Sequence, residues 1–167
     1  MKLHLFIFLI FSLPQWMFAN EPIALISKLR GAVQHKMVSE IKYRSKTQLN
    51  TPILSDSQIR TKNNAFSKVV YLDDGTAISM YPYTEIKIKG SIDNRIITKQ
   101  VDLKNGIIRV NVVNQTSREF TLITPYSKLT CMECSFWVIS DESVGDQFIK
   151  ESGNAQVWSP SINRTSA

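Results

Sequence analysis

Apolar and polar residues alternate along much of this chain, most clearly over residues 69–88, VVYLDDGTAISMYPYTEIKI. An apolar run ends at Leu72, Asp73-Asp74-Gly75 interrupts it, and a second run centres on Ile78 and Met80. After Pro82, Ile86 and Ile88 alternate with Glu85, Lys87 and Lys89. A period of two puts apolar side chains on one face of a strand and polar ones on the other. Asp bonds readily to nearby backbone and Gly takes positive φ without steric cost, so Asp73-Asp74-Gly75 reads as a structural turn. The stretch therefore predicts strand, turn, strand, corner, strand.

Weaker versions of the pattern flank it. Residues 23–29 fit either a helical turn or a first strand, Gly31-Ala32-Val33 restarts extended sequence, and Ile59-Arg60-Thr61 is a short strand before the Asn63-Asn64 turn. Further on, residues 90–94 read as a loop, Ile96-Ile97 as a strand, and Leu103-Lys104-Asn105-Gly106 as a strand-ending turn. Strands are expected over 107–112, 119–124, 135–140, 147–150 and 155–158, with turns at 114–117, Gly145-Asp146 and Ser152-Gly153-Asn154. About ten short strands with regular turn signals predict an all-β domain, a single compact unit built as a solenoid-like β-roll, a barrel or a sandwich. The lack of an exact internal repeat counts against a regular β-helix.

The first residues belong to another pattern. A basic start at Lys2, an apolar run over residues 5–13, then Pro14-Gln15 and the small Ala19 have the order of a secretory signal peptide. The expected organisation is a signal peptide over 1–19, a domain over 20–158 and a tail over 159–167. The apolar run is too short for a permanent span, which takes roughly 20 residues. The expected location is periplasmic or secreted.

Charge adds little. Lys plus Arg number 20 against 14 Asp plus Glu. The excess is dispersed, as on the wet faces of strands, with at most a weak attraction to an anionic envelope surface. Nucleic acid is not an expected partner of an exported chain.

Candidate chemistry is sparse. Without His4 the only imidazole is His35, in a polar stretch that reads as exposed, so any Ser–His–Asp or Cys–His scheme would depend on it. Asp73 and Asp74 could form an acid/base or calcium pair, but the turn is the stronger reading. There is no phosphate-binding glycine loop, and no cofactor or metal site is expected. Cys131-Met132-Glu133-Cys134 is a CxxC open to three uses: a local disulfide, two structural thiols on a strand, or redox or metal chemistry. Export favours the disulfide. A fully extended backbone would hold the Cα atoms roughly 10 Å apart, beyond the about 7 Å that a bridge spans, so a bridge requires a turn or bulge at Met132-Glu133. Tyr81, Tyr83, Trp137 and Trp158 are either core aromatics or a binding face on which sugars could stack.

The order of the short motifs resembles that of the FecR domain family of exported bacterial proteins and ferric-citrate-type regulators. Gly31-Ala32-Val33 is similar to its G-x-V start, and Leu54-Ser55-Asp56-Ser57-Gln58-Ile59-Arg60-Thr61 to its L-x-G-D-x-I-x-T segment, with Ser55 replacing glycine. Asp74-Gly75-Thr76 resembles its D-G-S/T block and Pro82-Tyr83-Thr84-Glu85-Ile86 its P-x-T/S-x-apolar step. Leu103, Gly106, Ile108 and Val110 follow L-x-x-G-x-apolar-x-V, and residues 120–125 follow F-x-apolar-x-T-P. Glu133-Cys134 stands where the family's Gly-Thr would lie ahead of Phe136 and Val138. The resemblance implies an all-β roll that binds a protein or an envelope polymer and has no enzymatic activity. By the resemblance, the expected signal peptide stands where regulators of this kind carry the segment that touches a sigma factor. Two rival readings are a carbohydrate- or peptidoglycan-binding module using the aromatics and a thiol oxidoreductase using Cys131 and Cys134.

Overall fold

The computed structural model describes residues 21–113 and 118–159. The leader at 1–19, the turn at 114–117 and the tail beyond Ser159 lie outside the described residues. Thirteen strands follow one another: β1 Ala24–Arg30, β2 Val33–Lys36, β3 Pro52–Ile53, β4 Ser57–Thr61, β5 Phe66–Tyr71, β6 Ala77–Met80, β7 Glu85–Lys89, β8 Ile92–Asp93, β9 Ile96–Ile97, β10 Lys99–Val112, β11 Phe120–Ile123, β12 Lys128–Asp141 and β13 Gly145–Trp158. The protein is all-β, a curled half-barrel sheet of eleven strands with a separate β8–β9 hairpin.

The sheet is organised on β10. Its first half lies between β7, antiparallel, and β11, parallel, while its second half lies between β6 and β12, both antiparallel. β6 continues through β5 and β1 to β3, and β7 through β4 to β2. The inward faces carry the apolar alternation expected from the sequence: Ile78 and Met80 of β6, Ile86 and Ile88 of β7, Val101, Leu103, Ile108 and Val110 of β10 are all buried. Of the two forms open to residues 23–29 the chain takes the strand, β1, because Ile23, Ala24 and Ile26 face that core.

Several expected boundaries differ: β12 begins at Lys128 and not near Ser135, β13 takes in the expected Gly145-Asp146 turn, and three others have a visible cause. The chain does not end a strand at Leu103-Lys104-Asn105-Gly106, where β10 runs on through a register shift between Leu103 and Asn105. Gly106, at φ 107, makes this possible, since a Cβ there would meet Thr84 atoms at 2.5 Å. β13 likewise runs through Ser152-Gly153-Asn154, and Gly153, at φ 75, absorbs a bulge in β12. The third is β8, inside the expected loop at 90–94. It pairs with β9 across Asn94 and Arg95, both at positive φ as a tight two-residue hairpin turn requires.

Motifs far apart in sequence meet at one corner. Thr84 donates its backbone N–H to Thr61 Oγ1 (3.0 Å), and its own hydroxyl accepts from Ile107 N (2.9 Å) and donates to Ile107 O (3.0 Å). Thr61 and Thr84 are buried, so each hydroxyl replaces a backbone partner that the bent strands cannot supply. The D-x-I-x-T, P-x-T and L-x-x-G segments thus close the half-barrel together.

Candidate functional site

The Asp73-Asp74-Gly75 turn links β5 to β6, and Gly75 adopts φ 80 there. The carboxylates do more than turn the chain. Asp74 accepts from Thr76 N (2.8 Å) and Thr76 Oγ1 (3.0 Å), and Asp73 accepts from Ile97 N (2.9 Å). Lys99, at the start of β10, sends its ammonium between them, 2.6 Å from Asp73 and 3.2 Å from Asp74, and donates to Ile97 O at 3.1 Å. The Lys99 side chain is 1% exposed and that of Asp73 10%. The ammonium also lies 5.5 Å from the centre of the Tyr71 ring. Burial, with Asp73 and Asp74 adding to it, pushes the Tyr71 phenol well above its usual range. This is a buried ion-pair cluster tying turn, hairpin and central strand together. Nothing in local sequence marks Lys99 as its cation, because it lies 26 residues from Asp73.

Cys131 and Cys134 form a disulfide, with Cα atoms 6.3 Å apart. The geometry is the bulge that a bridge requires: Cys131 stands opposite Ala155 and Cys134 opposite Gly153, so Met132 and Glu133 together oppose Asn154. The bulge occupies the place where Glu133-Cys134 departs from Gly-Thr. Both cysteines are buried, and Glu119 and Glu133 line the open groove of about 570 Å³ beside them.

The four aromatic candidates do not form one face. Tyr81 and Trp137 pack with centroids 5.0 Å apart, and Phe66 meets Tyr81 edge-on at 5.6 Å. Trp137 stands opposite Arg109 on one side and Ile149 on the other, which places it in a row of outward side chains crossing β6, β10, β12 and β13. Glu151 fastens that row. It accepts from Trp137 Nε1 at 2.7 Å and Arg109 Nε at 2.9 Å, and pairs with Arg109 Nη2 at 2.7 Å. Hydrogen bonds from Arg109, then from Trp137, hold the Glu151 carboxyl below its usual range. Trp158 stands opposite Lys128, at the other end of β13. Nine positions of β13 separate Trp158 from Ile149, the residue opposite Trp137, roughly 30 Å of backbone at strand rise. Tyr83 is exposed on the Pro82 corner at φ 58, its carbonyl held by Asn105 Nδ2 at 2.8 Å.

Beside the Tyr81–Trp137 row, β13 is the sheet's last strand. It pairs with β12 along its length and with no other described strand. Its Ile149, Val157 and Trp158 are exposed.

His35 corrects the sequence reading. It is 3% exposed, on the inward face of β2, with Nδ1 3.1 Å from Thr47 Oγ1. The polar residues around it misled because Gln34 and Lys36 occupy the other face of the same strand. Burial and the neighbouring Arg44 charge lower its pKa, with Glu40 opposing. Among the described residues no three His, Cys, Asp or Glu side chains converge as metal ligands. Nor is any described helix long and apolar enough to cross a membrane.

Comparison with known families agrees with this architecture. The family described as FecR protein matches residues 57–150, from the start of β4 into β13. Neither the curated proteins nor the solved structures gave a match. The matched segment spans more than half the chain and holds the Thr61–Thr84–Gly106 corner, the acidic turn with Lys99, and the β10 hub, so the chain belongs to the FecR protein family.

Proposed function

We propose that this chain is an exported, non-enzymatic interaction domain of the cell envelope that takes up an extended segment of a partner protein along the outer edge of β13. The observation that carries the reading is the edge itself, fourteen residues long and paired on one side only among the described strands. Such an edge offers a row of backbone donors and acceptors to an added strand, and side chains next to it select what is added. Trp137, bonded to the Glu151 that pairs with Arg109, and Tyr81 packed on it form the adjoining surface. FecR membership supports a role in protein interaction, and the leader together with the disulfide supports export.

The sugar-binding reading loses support because Trp158 stands at the other end of β13 from the Tyr81–Trp137 pair. The oxidoreductase reading loses support from the burial of both sulfurs.

The test is site-specific photo-crosslinking in the intact envelope, with the reactive side chain placed at Gln147 or Ile149 of β13, or at Lys62 after β4. The reading expects one adduct of defined mass from the β13 positions and none from Lys62. Loss of that adduct on Trp137→Ala would place the adjoining row in the contact. No adduct from β13, or the same adducts from Lys62, would overturn it.

A further inference from the structure

The segment between β2 and β3 carries an unusual surface. Val38 is 64% exposed and Ile41 93%, the highest value among the large apolar residues described. Leu49 is exposed further along the same segment. An isoleucine held out in water is not by itself remarkable, since single exposed apolar residues are common. What distinguishes this one is how the chain holds it out and what surrounds it.

The segment is fastened at its base, which leaves its tip projecting. Arg44 N donates to His35 O at 2.8 Å, and Thr47 Oγ1 meets the buried His35 ring at 3.1 Å. Glu40 accepts from Met37 N at 2.9 Å and from Arg44 Nε at 2.7 Å, closing the turn that contains Val38 and ends one residue before Ile41. Tyr43 donates its hydroxyl to Gln58 at 3.1 Å, and its ring lies under the Arg60 guanidinium at 3.8 Å and the Lys36 ammonium at 5.4 Å. Residues 36–46 hold Lys36, Lys42, Arg44 and Lys46 against Glu40 alone, a local charge of four minus one, or +3. Glu40 is already paired with Arg44. Lys42 and Lys46 are exposed.

An apolar tip with a collar of cations matches a lipid surface of opposite charge. Apolar side chains enter the boundary between headgroups and acyl chains, while lysines and arginines reach the phosphates around them. The alternative, a protein groove, would need an edge or a shaped pocket to read; this tip offers side chains projecting from a turn. We infer that the 37–49 segment docks the domain on an anionic bilayer surface, with Val38 and Ile41 inserted and Lys42 and Lys46 at the headgroups. The inference concerns a surface separate from β13 and stands whether or not a protein strand is added there.

The two native cysteines are paired and no free thiol is present, so one engineered cysteine can be labelled selectively. Ser39→Cys carries a polarity-sensitive fluorophore at the tip and leaves Val38 and Ile41 in place. Gln147→Cys on β13 is the control for contacts made by other parts of the chain. With phosphatidylglycerol vesicles, the label at 39 is expected to shift to the blue and the label at 147 to stay unchanged. With phosphatidylcholine vesicles, the affinity reported at 39 should fall by at least about tenfold, since each lysine near an anionic surface contributes of order a factor of five. Ile41→Asp or Lys42→Glu in the Ser39→Cys chain should abolish the shift with thermal unfolding unchanged, because both side chains are exposed in the fold. No shift at 39, an equal shift at 147, equal affinity for both lipids, or a shift that survives Ile41→Asp would each overturn the inference.

Discussion

At the scale of single residues, Lys99 carries the greatest consequence. A buried ammonium is tolerated only with its charge matched and its donors used, and Asp73, Asp74 and Ile97 O meet that condition here. Replacing it by methionine keeps most of the volume but leaves two carboxylates facing each other without their cation. Lys99→Met is therefore expected to lose about 3–5 kcal/mol, the usual result of removing one partner of a buried pair. Urea unfolding measures it, and a loss below about 1 kcal/mol would mean that the cluster is wetter than its burial indicates. The glycines give a finer contrast. Gly75 and Gly153 both adopt left-handed backbone, but a Cβ at 75 meets nothing within 4 Å, whereas one at 153 would fall 2.1 Å from Glu133 O. Gly75→Ala should cost on the order of 1 kcal/mol for backbone strain alone. Gly153→Ala should cost clearly more, roughly 3 kcal/mol, because Glu133 belongs to the bulge that the disulfide closes. Equal losses in thermal melts would show that the bulge yields freely.

At the scale of elements, short-range pattern was enough for most strands and not for their continuity. Residues 69–88 could be read directly, since the alternation, the Asp-Gly turn and Pro82 are all local signals. Local pattern breaks β10 and β13, because Gly106 and Gly153 carry the same signal as a turn. Only the distant Thr84 and Glu133, packed against them, show that these glycines admit a neighbouring backbone. The site follows the same rule. The sequence left the disulfide as one of three uses of the CxxC, favoured by export and conditional on a bulge that only the β12–β13 register shows, and Lys99 and the Arg109–Glu151–Trp137 row likewise depend on pairings across the sheet. His35 was misplaced because one buried polar residue does not disturb an alternating pattern. Its position yields a prediction for the segment it anchors. Burial and Arg44 lower the folded pKa below the ordinary value, so the unfolded chain binds the proton first. This contribution to stability is complete above about pH 6.5 and is lost as pH falls below it. The urea midpoint of the wild type should drop between pH 7.5 and 5.5, and His35→Asn should flatten that drop whatever its own stability. A wild-type midpoint that rises on acidification would contradict the lowered pKa.

At the scale of the whole molecule, β10 and β13 occupy opposite positions in one sheet. β10 has strands on both sides over most of each half, β7 and β11 flanking the first and β6 and β12 the second. Opening β10 therefore disrupts both arms of the half-barrel, and its amides should exchange only when the whole domain unfolds. β13 has a partner on one side, so the amides bonded to β12 should be protected while the alternating outward amides exchange far faster. The two-residue β8 and β9, in a sheet of their own, should show little protection. Amide exchange followed residue by residue would display this as slow β10, alternating β13 and fast β8–β9. The pattern bears on function as well as folding. A strand added along β13 would slow its outward amides and convert the alternation to uniform protection, with β10 unchanged. Uniform protection of β13 in the isolated chain that disappears on dilution would mean that a second copy already occupies the edge. Uniform protection that survives dilution would exclude an open edge and remove the basis for strand addition.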